Sequence, residues 1–203
     1  MTDSPADAAG PRGRYPKGIA RRQEILDRAI EVFARRGSKR TSLRAIAQEV
    51  GVTHAALTHY FGSLEELLVA VYRESERRSD SSEPLQTDVT PAMAMRIAAE
   101  RNRRIPGLVQ LYSTLTARAI EEDHPAAQEF ATARFARLRH EISDQVRDLQ
   151  ASGRLRADLD PGLVAALVVA ASDGLQTQWL LDPGVDHEGA LEMLDGLLAG
   201  ERA

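Results

Sequence analysis

Residues 41–68, TSLRAIAQEVGVTHAALTHYFGSLEELL, decide the fold of this 203-residue chain. Two short segments within this stretch, 41–50 and 53–61, place apolar residues three or four positions apart, which is the spacing of an amphipathic helix. A turn at Gly51 separates the two segments, and Thr53 is of a type that caps the start of a helix. Two short helices joined by a glycine-containing turn are typical of a helix-turn-helix motif.

The second of these helices has a small and polar outward face. At the usual rotation of ~100° per residue, the residues turned away from the apolar Leu57 are Ala55, Ala56, Thr58 and His59. In a helix-turn-helix motif this helix enters the major groove, and such side chains can meet base edges or phosphates. A capped surface helix often has a face of this kind as well, so the face alone leaves both interpretations open.

Charge is divided unevenly along the chain. Residues 11–62 hold eleven Lys and Arg against four Asp and Glu, whereas residues 63–203 hold fifteen against twenty-four, and the whole chain carries −4. A basic end on an acidic body is typical of a polyanion-binding module joined to a second unit. A solvated helix face would also give a basic run, but the helix-turn-helix spacing in the same segment favours DNA binding.

The periodicity predicts an all-α fold of about nine helices in two groups. We expect a disordered arm at 1–16, a three-helix DNA-binding domain at 17–62, a connecting helix and loop at 63–82, and an effector-binding and dimerisation domain at 83–203. A polar linker is expected at 79–88. The helices are predicted at about 17–36, 41–50, 53–61, from 64, 91–104, 107–121, 125–151, 161–181 and 187–199, with N-caps at Thr53, Ser63, Thr90 and Asp160.

Residues 22–71 resemble the N-terminal domain of TetR/AcrR-like transcriptional regulators. The positions that match in register are Ala29, Phe33, Gly37, Thr41, Ile46, Ala47, Gly51, Val52, Leu57, His59, Tyr60, Phe61, Glu65 and Leu67. Three positions depart from the family pattern: Thr53 replaces a serine, Thr58 replaces a tyrosine and Leu64 replaces a lysine. The last two remove a ring and a cation that often contact the DNA backbone in that family.

The resemblance implies which residues contact a double-stranded operator. At the start of the second helix, Thr41, Ser42 and Arg44 would touch phosphate. The basic residues Arg14 and Lys17 would reach a flanking minor groove or phosphates, together with Arg12. The residues expected to face the groove or its edge are Thr53, His54, Ala55, Thr58, His59 and Tyr60.

The last two helices are candidates for a dimer interface. Residues 161–181 are apolar nearly all round, which predicts burial on more than one side. The resemblance implies a homodimer through these two helices, and two-fold symmetry suits a palindromic operator.

Polar residues inside the apolar helix 161–181 suggest a ligand site. Buried polar groups need partners, which lie across a dimer, along solvent or on a small-molecule effector. The candidate effector contacts are Met95, Asn102, Tyr112, Thr116, Asp173, Gln176 and Trp179. Residues 101–115, 123–126 and 173–183 also resemble the C-terminal domain of regulators common in high-GC Gram-positive bacteria. The resemblance implies repression by the effector-free dimer, with the effector moving the fourth helix and so the two recognition helices.

Other function classes are disfavoured. The five histidines form no metal motif, and the sequence contains no cysteine, nucleophile elbow or phosphate-binding loop. We therefore expect that the protein is not an enzyme and that it binds no metal or cofactor. No apolar run approaches the ~18–20 residues of a membrane span, and residues 1–10 are unlike a signal peptide, so we expect no membrane contact and a cytoplasmic location. Two alternatives stay open: a helical small-molecule-binding or scaffold protein with weakened DNA binding, and an activator of the same fold.

Overall fold

The computed structural model describes residues 14–36, 43–82, 89–105 and 107–199. These residues form nine helices: α1 Arg14–Arg36, α2 Leu43–Val50, α3 His54–Phe61, α4 Leu64–Ser82, α5 Pro91–Arg103, α6 Leu108–Arg118, α7 Pro125–Ala151, α8 Pro161–Leu181 and α9 His187–Leu198. Extended pairing within these ranges is limited to a single bridge between Leu155 and Ala199. The predicted all-α class is confirmed.

Helix ends differ from the prediction at three main places. The first helix begins at Arg14, so the expectation that this residue lies in a disordered arm is wrong; Pro16 falls in the first turn, where a missing N–H costs no hydrogen bond. The fourth helix continues through the buried Ser79 into the predicted linker. The sixth helix ends at Arg118, because the N–H groups of residues 120 and 121 bond three residues back in a tighter turn.

Several sequence predictions fall outside the described residues. These are the arm before residue 14, the helix stop at Gly37, the positions of Thr41 and Ser42, and the linker residues 83–88.

The predicted N-caps are confirmed. The side chains of Thr53 and Ser63 each accept a hydrogen bond at 3.1 Å from the backbone N–H three residues later. Thr90 and Asp160 make the same bond at 3.3 and 2.8 Å. Each cap satisfies a donor that the first turn of a helix leaves unpaired, and so fixes where the helix begins.

Two clusters of buried apolar residues hold the helices together. The first core joins α1–α4 to α6 and the start of α7, and it includes Ile46, Leu57 and Leu111. The second core joins the end of α7 to α8 and α9, through Val146 and Val168. The first core therefore crosses the predicted border at residue 62, so the helix-turn-helix packs directly on the helices that follow it.

The eighth helix has an open apolar face. It is long and apolar enough to cross a membrane by length and composition alone, with a third of its most apolar window buried. One side packs on α7 through Val164 and Val168, while Leu163 and Leu167 on the other side are 67% and 61% exposed. The sequence predicts that α8 is buried on more than one side. Within a single chain, only one side of the helix is buried.

Candidate DNA interface and effector core

The helix-turn-helix is fixed by backbone contacts at its turn. Gly51 adopts φ +75°, a left-handed conformation that glycine tolerates best. The N–H of Val52 donates to the carbonyl of Ala47 at 2.9 Å, and Arg28 of α1 donates to the carbonyl of Val50 at 2.9 Å. These bonds satisfy carbonyls at the end of α2 and tie the motif to the first helix.

The third helix presents the outward face that its sequence predicts except at Ala56, which is half-buried. Leu57 and Phe61 are buried and anchor the helix, while the opposite side chains are exposed. The exposed residues of this face are Thr53, His54, Ala55, Thr58 and His59. We call these five residues the α3 face.

Local contacts orient part of the α3 face. The Thr58 hydroxyl donates to the carbonyl of His54 at 3.1 Å, and the Thr53 hydroxyl serves as the helix cap. The ring of His59 meets Tyr60 edge-on, with 5.2 Å between centroids. Tyr60 itself is half-buried against the first core, which places it at the edge of this face.

Further predicted DNA contacts lie on the first two helices. Arg44 on α2 and Lys17 on α1 are exposed. Arg14 is part of α1, but its side chain is not described. Arg44 thus remains an exposed cation on the helix that would cross the DNA backbone.

The structure brings two of the predicted effector residues together. The Tyr112 hydroxyl on α6 donates to an Asp173 carboxylate oxygen on α8 at 2.8 Å. Burial raises the pKa of Asp173, an effect that the Tyr112 hydrogen bond and the charge of Arg134 oppose. Burial likewise raises the pKa of the Tyr112 phenol. A neutral hydroxyl therefore pairs with a carboxyl group in a poorly solvated place.

The polar groups of two other predicted effector residues are bonded within their own helices. The hydroxyl of Thr116 donates to the carbonyls of Tyr112 and Ser113, both at 3.1 Å, within its own helix. The buried Gln176 side chain lies 3.4 Å from the carbonyl and the hydroxyl of Ser172. Their polar groups are used locally, as expected for buried polar atoms.

The remaining three lie elsewhere. Met95 packs on the second core. The half-buried Trp179 ring faces the Arg103 guanidinium at 5.5 Å, and the half-buried Asn102 precedes that arginine on α5. The seven predicted residues therefore have several different surroundings in this structure.

One cavity lies away from all seven predicted effector residues. It measures about 410 Å³ and lies between α1, α3, α4 and α7, with Arg22, Tyr60 and Arg73 among its lining residues. Two further cavities, of about 370 Å³ near Ile105 and about 840 Å³ near Ile120, are also lined by other residues.

The sequence does not reveal a charged group that lies among the helices of the predicted effector-binding domain. Arg134 on α7 places its guanidinium over the rings of Tyr72 and Tyr112, at 5.4 and 5.0 Å, and forms an ion pair with Glu76 on α4. The two tyrosine rings stack with 5.3 Å between centroids. No spacing rule marks this arginine, because its partners lie on three other helices. We call Arg134, Glu76, Tyr72, Tyr112 and Asp173 the effector core.

Metal chemistry receives no support from the described part of the chain. Groups of three or more His, Cys, Asp or Glu side chains that could hold an ion are absent from it.

Comparison with known proteins places the chain. Residues 25–71 match the family of bacterial regulatory proteins of the tetR type. Residues 92–203 match the C-terminal domain of BetI-type transcriptional repressors. The HTH-type transcriptional regulator BetI of Rhizobium meliloti is 29% identical over 181 residues, which cover 87% of this chain and 75% of that protein. An HTH-type transcriptional repressor of Mycobacterium tuberculosis is 24% identical, covering 87% of this chain and 90% of that protein.

Solved structures agree on the fold. A transcriptional regulator from Saccharomonospora viridis, crystallised in complex with choline, has a TM-score of 0.68 at 22% identity and covers 91% of this chain and 100% of that one. Regulators of this family bind DNA and are not enzymes. With family matches over both halves of its length, the chain belongs to the TetR family of transcriptional regulators and carries a C-terminal domain of the BetI type.

Proposed function

We propose that this regulator represses transcription as a cytoplasmic homodimer on a palindromic operator and that a small-molecule effector releases it. The single observation that carries the proposal is the exposed α3 face, held on a buried helix-turn-helix scaffold. A recognition helix needs such a face, because only exposed side chains can reach base edges in the major groove.

The chemistry of the α3 face suits base reading. Alanine and threonine methyl groups, here Ala55 and Thr58, can contact thymine methyls, while imidazole groups can donate to base edges. His59 lies farther along the helix than His54, so the two rings reach different base pairs. Arg44 on α2 supplies a phosphate contact, which positions the motif without reading sequence.

The open faces of α8 and α9 support a dimer. Leu163 and Leu167 on α8 and Met193 and Leu197 on α9 are each more than 60% exposed. A β-carbon added at Gly174 would meet nothing within 4 Å, so a partner helix could approach closely there. Contiguous apolar surface of this kind marks an interface, and a second copy of the same chain covers it symmetrically.

The fourth helix is the element through which an effector would act. Its start packs with α3 in the first core, and its Glu76 pairs with Arg134 in the effector core. An effector that binds one arrangement of α4 more tightly than another shifts the angle of the DNA-binding motif in each subunit. Because the operator fixes the distance between half-sites, that shift weakens DNA binding.

Selection of bound sequences from a random double-stranded DNA pool tests the proposal. The purified full chain should recover an inverted repeat at near-physiological salt. The variant His59→Ala should recover a relaxed repeat, whereas His140→Ala, on the exposed surface of α7, should recover the wild-type sequence. Recovery of no sequence above background would contradict the proposal and favour a regulator fold that has lost DNA binding. Recovery of an asymmetric single site would contradict the dimer.

A further inference from the structure

The stacked tyrosines of the effector core already hold a cation, and that cation belongs to the protein. The guanidinium of Arg134 lies 5.0 Å from the centroid of Tyr112 and 5.4 Å from that of Tyr72. Both distances are within the ~6 Å over which a cation is attracted to an aromatic face. A charged side chain thus occupies the position beside the two stacked rings that a small organic cation would take.

Carboxylates complete the surroundings of this cation. Glu76 on α4 pairs with the guanidinium directly. Asp173 accepts a hydrogen bond from the Tyr112 hydroxyl, and the charge of Arg134 lowers the pKa of its carboxyl group, against the effect of burial. Two rings and the Glu76 carboxylate thus contact one positive charge, which would repel a second cation brought to the same place.

The side chain of Arg134 is largely buried among these groups. The Arg134 side chain is only 14% exposed. Its Nε is buried and has no hydrogen-bond partner among the described residues. A buried N–H without an acceptor is unfavourable, so an arriving group gains most if it accepts a hydrogen bond here.

From this arrangement we infer that Arg134 determines which class of effector the core accepts. It excludes small organic cations, including quaternary ammonium ions, from the face of Tyr112 and Tyr72. A molecule that enters the core of the natural chain must instead present an acceptor, such as a carboxylate, to Arg134.

Two other aromatic rings of the described chain, Phe130 and Trp179, are also covered by arginine side chains. Arg73 lies over Phe130 at 5.7 Å, and Phe130 in turn packs edge-on against Tyr72. Trp179, at the far end of α8, faces Arg103. The rings around the core are therefore covered by guanidinium groups from the chain itself.

An effector that binds Arg134 would also affect the contact between α4 and α7. An acceptor that takes hydrogen bonds from Arg134 competes with Glu76, one of the residues through which α4 pairs with α7. This consequence rests on the proposed effector function. The exclusion of cations does not, because it concerns binding alone.

Removal of the charge tests the inference without DNA. Thermal unfolding of the full chain is followed in tetramethylammonium chloride and in sodium chloride at equal concentration, and choline binding is followed by calorimetry. The wild type should unfold at the same temperature in both salts and bind no choline. Arg134→Met should be stabilised by tetramethylammonium in a saturable way and bind either cation at least ~10-fold more tightly than the wild type.

Two controls keep the result interpretable. Arg134→Lys retains the charge, and Arg139→Met removes an exposed charge elsewhere on α7, so both variants should behave as the wild type. Where Arg134→Met alone fails to fold, the double variant with Glu76→Gln removes both members of the ion pair and retains the rings. Saturable choline binding by the wild type, or the absence of cation binding in a folded variant lacking Arg134, would overturn the inference. Neither outcome depends on whether an operator is recovered, so the two proposals fail separately.

Discussion

Glu65, in the first turn of α4, lies 2.7 Å from the Nδ1 atom of His124, the residue that precedes α7. Its second carboxylate oxygen accepts from the N–H groups of Ala126 and Ala127, both at 3.1 Å. The N-cap residue of α7 makes no side-chain capping bond of its own. A carboxylate from α4 therefore caps α7 and complements the positive end of its helix dipole.

This capping bond should be measurable as stability. Glu65→Ala leaves two buried helix donors without an acceptor, so we expect the free energy of unfolding to fall by ~1–2 kcal/mol. Urea denaturation followed by circular dichroism measures the change. Glu122→Ala, an exposed acidic residue in the preceding loop, should change it by less than ~0.5 kcal/mol. Equal effects of the two substitutions would show that the cap is not stabilising.

Two glycines allow a matched test of the turn in the helix-turn-helix. Gly51 has φ +75°, so Gly51→Ala should lower the free energy of unfolding by ~1 kcal/mol or more. Gly18 lies inside α1 with open space around its α-carbon, so Gly18→Ala should raise it by ~0.5–1 kcal/mol. The same denaturation experiment measures both. A stabilising Gly51→Ala would mean that the turn does not need a left-handed residue.

Sequence periodicity and capping types were enough to place the helix-turn-helix. Leu57 and Phe61 repeat at a spacing set by the helix itself, so they reveal the buried side without any knowledge of tertiary contacts. Ser79 was misassigned to a linker because its burial depends on neighbours distant in the chain. Local polarity cannot reveal such burial.

Contacts between residues distant in the chain also determine the arrangement of the predicted effector-binding domain. Asp173 stands out as a polar residue in an apolar helix and Tyr112 is predicted as a wall of its site, and the structure joins the two by a hydrogen bond. Arg134 and Glu76 are 58 residues apart, and their pairing depends on how α4 and α7 pack. A single sequence carries no local signal for a pair of that kind.

The α3 face predicts a base-reading role for His59. His59→Ala should weaken binding to the selected operator by ~1–3 kcal/mol and leave binding to random DNA nearly unchanged. Fluorescence anisotropy on both DNAs measures the two losses. Equal losses would make this histidine a phosphate contact, which carries no sequence information.

Arg44 should behave in the opposite way. A phosphate contact contributes to all DNA sequences alike and releases a counterion on binding. Arg44→Ala should therefore weaken operator and random DNA together and reduce the slope of log affinity against log salt by ~1 for each half-site. A titration of anisotropy at several salt concentrations measures the slope. An unchanged slope would remove this arginine from the interface.

The apolar face of α8 predicts a dimer that a single charge disrupts. Leu167→Glu places a carboxylate in the proposed interface, so the chain should sediment as a monomer and lose affinity for the inverted repeat. Ile120→Glu adds the same charge at a residue that is 89% exposed in the loop before α7, and it should leave the dimer intact. Sedimentation velocity compares the two. A dimeric Leu167→Glu variant would place the interface elsewhere.

The most direct test of the central claim compares the selected inverted repeat with a copy in which one half-site is scrambled. If a dimer reads two half-sites, two chains bind the intact repeat, and scrambling one half lowers the affinity by at least ~10³-fold toward the nonspecific level. Calorimetry gives both the stoichiometry and the affinity. Equal affinities for the two DNAs, or one chain bound per intact repeat, would contradict a two-fold operator-reading regulator.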